Sequence, residues 1–159
     1  MVGLYMKKII SIKKKTIKRK KTFDLSFNHQ NYINQLYLNE DFPEKNTILK
    51  ELKKKLHSYL AQDKKKSRPY DAEKYINMEE LLPLLVASKL RCHYCKKNIM
   101  MLYNNIREPL QWTLDRIDNS KPHNTDNVVI ACLKCNLERR RRSDTKFLMS
   151  KQMKIKKIT

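Results

Sequence analysis

Between Thr47 and Gln62 apolar side chains recur at Ile48, Leu49, Leu52, Leu56, Tyr59 and Leu60, and lysines fill the opposite positions. That spacing places one apolar stripe on a helix and predicts an amphipathic helix. The polar run DKKKSRPYD, Asp63 to Asp71, breaks the period and reads as a linker. A second helical pattern, NMEELLPLLVASKL, opens on Asn77 with Glu80 three residues later, the spacing of a capping box. Pro83 then marks either a kink or the true first turn, and the helix runs on into Cys92. Further along, Trp112 to Ile117 and the β-branched Asn127 to Ala131 predict two strands around the polar turn SKPHNT, Ser120 to Thr125. From about Cys132 the straight-chain residues of CLKCNLERRRRSDTKFLM favour a helix, with Phe147 and Leu148 turning inward at its end.

Residues 1–45 carry no sustained period. They read as a basic, weakly ordered arm with room for one short helix, followed by a helix and linker over 46–76. Residues 77–148 form the expected domain, and 149–159 a basic tail. The single glycine, Gly3, excludes a glycine-rich phosphate loop.

Charge sharpens this division. Of the formal +20, +9 falls on Met1 to Thr22 and +7 on Asn136 to Thr159, leaving +4 for the middle. Such arms suit a polyanion, and nucleic acid is the expected partner. No apolar run approaches the ~20 residues of a membrane-spanning helix, and the first fifteen residues lack the apolar core and cleavage site of a secretory signal. An intracellular, non-secreted protein without membrane association is expected. The stretch KKKTIKRKK, Lys13 to Lys21, leaves nuclear, viral and organellar placement open, as an import signal, a nucleic-acid arm or a solvated tail. Oligomeric state is not legible.

In a reducing compartment the cysteines acquire a definite reading. Cys92 and Cys95 (CHYC) and Cys132 and Cys135 (CLKC) are two CxxC pairs, each able to present two thiolates to one tetrahedral Zn²⁺. A closed Cys₄ site is structural, so this zinc is expected to hold the fold and perform no chemistry. His93 is the alternative fourth ligand, but it faces away within its pair.

The order CxxC, LDRID, DNV, CxxCN across roughly residues 78–146 resembles the HNH endonucleases, also called ββα-metal or His-Me finger nucleases. It is most similar to their zinc-stapled branch, which includes recombination endonuclease VII. The resemblance implies an α+β fold, a small ββα-metal core with a Cys₄ zinc site, preceded by helices and flanked by basic tails. It implies hydrolysis of phosphodiester bonds, of DNA before RNA, with Mg²⁺ or Mn²⁺ held by Asp115 and Asn136. Asn127 falls where the family's asparagine supports the loop and orients the base or the phosphate. Arg116 stands in the place of the family's general-base histidine, and a guanidinium cannot accept a proton near neutral pH. The candidate bases are then His123 and Asp118, with Arg116 as a phosphate clamp. Arg139, Arg140, Arg141 and Arg142 follow Asn136, and helical spacing puts Arg139 and Arg140 on its face as phosphate contacts. The competing expectation, from another class, is a noncatalytic zinc module that binds DNA or RNA.

Overall fold

The structure, a computed structural model, describes residues 22–26, 28–66, 68–69 and 71–153. The lysine-rich stretch 13–21 and the last six residues of the basic tail lie outside them. Among the described residues the chain forms five α-helices and one two-stranded antiparallel sheet: α1 (His29–Tyr37), α2 (Lys45–Lys65), α3 (Met78–Ala87), β1 (Trp112–Arg116), β2 (Val128–Cys132), α4 (Leu133–Arg139) and α5 (Asp144–Gln152). The mixed α+β composition agrees with the sequence reading.

Within residues 22–45, where the sequence leaves room for one short helix, the chain forms α1. Asn28 caps α1 by accepting from the backbone of Gln30 and Asn31, and Ile33 and Leu36 enter the common core. His29 Nδ1 accepts from Met101 N at 2.8 Å, which fastens α1 to a loop 72 residues away. Helix α2 buries Ile48, Leu52, Leu56 and Tyr59 as its period requires, then continues through Asp63 to Lys65. The stretch read as a linker from Asp63 therefore begins inside a helix. Lysine, glutamine and alanine favour helix here, and the apolar stripe has merely passed to a buried carboxylate.

The capping box of α3 is formed: Glu80 N donates to Asn77 Oδ1 and Asn77 N to Glu80 Oε2, both at 3.0 Å. With the cap at Asn77, Pro83 lies inside the helix. The helix does not run into Cys92. It stops at Ala87, and Lys89 and Leu90, both at positive φ, turn the chain before the first cysteine pair.

The hairpin pairs Trp112 with Cys132, Leu114 with Ile130 and Arg116 with Val128. Asn127 sits in a short 3-10 turn (Thr125–Asn127) and not in the strand. In an antiparallel ladder alternate residues turn their N–H and C=O away from the partner, and here Trp112, Leu114 and Arg116 do so along the free edge of β1. Two of those groups meet side chains of α2: Lys55 Nζ donates to Trp112 O, and Tyr59 Oη accepts from Leu114 N at 3.0 Å. Trp112 N donates to Met100 O, and Leu114 O and Arg116 O accept from Asn136 and Arg139. Beyond the backbone, the Arg116 side chain reaches Asp63 Oδ1 with Nη1 at 3.5 Å. Four helical residues rise about 6.0 Å and two strand residues about 6.7 Å. The series 55, 59, 63 on α2 therefore keeps step with 112, 114, 116 on β1.

A buried carboxylate, a bridged loop and a four-cysteine cluster

Two junctions bring the cysteines together. His93 N donates to Ile130 O at 2.8 Å, laying the first pair along β2. Cys132, the last residue of β2, caps α4 with its sulfur, which accepts from Cys135 N at 3.4 Å. The four Sγ atoms lie within 4.8 Å of one another, with Cys95 and Cys132 at 4.0 Å, and none of the four is in a disulfide. A tetrahedral Zn–S distance of about 2.3 Å separates sulfurs by about 3.8 Å, so the cluster could hold a metal ion such as zinc. The thiols are tightly coupled: the hydrogen bond from Cys132 outweighs burial and lowers the Cys92 pKa, that same bond raises Cys132, and burial raises Cys135. His93 is outside the cluster, its Nε2 3.6 Å from Asp144.

Asp115, near the end of β1, is buried and held on three sides. Arg139 Nε and Nη2 donate to its two oxygens at 2.6 and 2.9 Å, and Tyr94 Oη lies 2.7 Å from Oδ2 and 2.8 Å from Asp144 Oδ1. Burial raises the Tyr94 pKa, with Asp115 adding to the effect, so the phenol stays protonated. Arg139 also donates to the backbone oxygens of Arg116 and Arg142. It is thus a buried strut, 1% exposed. Its neighbour Arg140 does not continue the helix. At φ 53° and ψ −113° it ends α4, so the single predicted helix is two. Asn136 and Arg139 keep their helical spacing within α4, while Arg140 leaves it and reaches the same cavity from outside the helix. Asn136 uses Nδ2 on Thr113 Oγ1 and Leu114 O, both at 3.2 Å, leaving Oδ1 without a partner among the described residues.

The loop between the strands is pinned by Asn127. Its Nδ2 donates to Asp118 O at 3.0 Å and Pro122 O at 2.9 Å, while its Oδ1 accepts from Asp118 N at 2.9 Å. Asp118 itself is exposed and closes an Asx turn on Ser120, accepting from Oγ at 2.7 Å and from N at 2.9 Å. Those bonds lower its pKa and make it a poor base. His123 is different. It is buried, tilted against the Tyr59 ring at 4.6 Å, and its Nδ1 and backbone N lie 2.6 and 2.8 Å from Asp63 Oδ2. Burial lowers the His123 pKa, Asp63 opposes, and Arg116 and Arg68 add to the lowering, so the ring is neutral at pH 7. Arg116, whose pKa is lowered by burial and by Arg68, points to Asp63 and Lys121 O.

One cavity of about 1060 Å³ gathers these parts: Tyr59, Arg68, Asp115, Arg116, Asp118, His123, Asn136 and the run Arg139 to Arg142 are on its wall. Arg140, Arg141 and Arg142 are exposed there, the last over the Phe147 ring at 4.6 Å. Reading the sequence alone missed Asp63, Arg68, Tyr59 and Tyr94. Asp63 did leave a signal, since it falls four residues after Tyr59 on the apolar stripe, where a carboxylate is buried and must be paired. No family model matches the chain, and no curated protein or solved structure is significantly similar to it.

Proposed function

We propose that the protein is a metal-dependent endonuclease of the HNH type that hydrolyses phosphodiester bonds of nucleic acid, DNA before RNA. The observation that carries this reading is one cationic cavity whose wall holds a neutral histidine, His123, together with Asp115 and Asn136. The oxygen donors suit a hard divalent cation. Asn136 Oδ1 is unpartnered, and Asp115 Oδ1 accepts one bond among the two or so a carboxylate oxygen takes. When bound there, Mg²⁺ or Mn²⁺ would polarise the scissile phosphate and offset charge on the leaving oxygen.

The chain's own groups supply the rest. His123 Nε2 takes the proton of a water as its oxygen bonds to phosphorus, and the P–O3′ bond breaks. Arg140, Arg141 and Arg142 hold the flanking phosphates by charge, without reading sequence. Arg116, bound to Asp63 and the loop, serves as a fixed positive wall. Asn127 keeps the loop closed so that His123 stays on the cavity.

A second reading has its own observation. Arg139 already neutralises Asp115, as a retired metal site would require, which favours a noncatalytic zinc module that grips nucleic acid. Nicking of supercoiled plasmid with Mg²⁺ or Mn²⁺ separates the two. The endonuclease reading expects cleavage that falls at least ~10²-fold in His123→Ala and is abolished in Asp115→Asn and Asn136→Ala. Tight, salt-sensitive binding without cleavage under either metal would establish the module instead.

A further inference from the structure

We infer that Asp63, carried by a helix outside the zinc-stapled region, is a positioning residue that sets which nitrogen of His123 bears the proton and turns the other to the cavity. The chemical consequence rests on the hydrolytic reading above, whereas the positioning does not.

The geometry assigns the two oxygens of Asp63 separate duties. Oδ2 receives His123 twice, from the backbone N at 2.8 Å and the ring Nδ1 at 2.6 Å. Oδ1 faces Arg68 Nη1 at 3.2 Å and Arg116 Nη1 at 3.5 Å. Burial works against the carboxylate's charge, yet the two His123 bonds and the electrostatic pull of His123 and Arg116 together outweigh it and lower the Asp63 pKa, so Oδ2 is an acceptor only. An acceptor at 2.6 Å from a ring nitrogen requires that nitrogen to carry hydrogen. The Nδ1–H tautomer follows, and Nε2 keeps its lone pair.

Among the described residues Nε2 has no partner and is not a sealed-in buried atom, and His123 lines the cavity. The lone pair is therefore open to a water there. Two side features lock the arrangement. Tyr59, one helical turn before Asp63, packs on the imidazole face, and its hydroxyl is anchored to Leu114 N. Arg68 Nη2 also donates to Asn119 O at 3.2 Å, so the Oδ1 clamp is itself tied to the loop bearing His123. The charged groups facing His123 are Asp63 from α2, Arg68 from the segment after it and Arg116 from β1.

The test uses full-length protein with ¹⁵N-labelled histidine, comparing wild type, Asp63→Asn, Asp63→Glu and His123→Ala. Long-range ¹H–¹⁵N correlation reads the tautomer and titration of His123, and plasmid nicking with Mg²⁺ or Mn²⁺ reads the rate. Wild type is expected to show Nδ1–H. In Asp63→Asn the amide can donate to Nδ1, so the Nε2–H form appears and the titration moves to lower pH. Cleavage then falls by ~10²–10⁴-fold, with the acid limb of the pH profile shifted the same way. Asp63→Glu restores the tautomer and part of the rate, and Asp63→Asn adds nothing in a His123→Ala background. An unchanged tautomer in Asp63→Asn, or an equal loss with His123 absent, would overturn the inference. Should wild type fail to cleave while the tautomer switches as described, the positioning stands and only the hydrolytic reading falls.

Discussion

Asp115 is the residue at which the largest opposing demands meet. A cation site asks for a free carboxylate, and the fold has surrounded this one with Arg139 and Tyr94. Removing one partner of a buried pair strands the other charge, so Arg139→Met is expected to destabilise by about 3–5 kcal/mol. Asp115→Asn combined with it should recover part of that loss, as urea unfolding would report. Tyr94→Phe leaves buried carboxylate oxygens without their phenol, at a cost of about 1–3 kcal/mol. At His123 the sign of the charge effect is testable by NMR titration. Arg116→Gln removes a positive neighbour and frees Asp63, so the His123 pKa should rise toward 6.5. Single residues were legible where their type fixes their chemistry, as with the four cysteines. Asp63 and Tyr94 were not, because a carboxylate in a lysine run and a tyrosine between cysteines become functional only through partners 60 and 21 residues away.

Among the elements, those with a strong period or a cap were read correctly from the sequence: the body of α2, the capping box of α3 and the two strands. Breaks were read poorly. With one glycine in the chain, positive φ among the described residues falls on Asn39, which suits it, and on Lys89, Leu90, Lys96 and Arg140, residues that give no warning of a turn. Arg140 is the clearest instance. A non-glycine residue at φ 53° and ψ −113° carries about 1–3 kcal/mol of backbone strain. Arg140→Gly should therefore raise the melting temperature while weakening nucleic-acid binding, since the same residue lines the cavity. A melting curve and a salt titration of binding would read the two effects separately. Were Arg140 only a solvated side chain, affinity would not change.

For the whole molecule, acid is the expected weakness. The pKa of buried His123 is lowered from 6.5, so the stability it contributes is full above 6.5 and lost as pH falls through its folded value. Asp63, lowered from 3.8, adds a second loss at lower pH with the same sign. Thermal melts between pH 8 and 5 should decline, and His123→Gln should flatten the first part of that decline. The same molecule has an open question of size that its edge answers. Helix α2 satisfies two outward backbone groups of β1, Trp112 O with Lys55 and Leu114 N with Tyr59. A fragment beginning near residue 77 would keep all four cysteines and the hairpin while baring that edge. The freed Trp112 O and Leu114 N would then offer a pairing point to the edge of another copy, so the excised fragment should self-associate more than the longer chain.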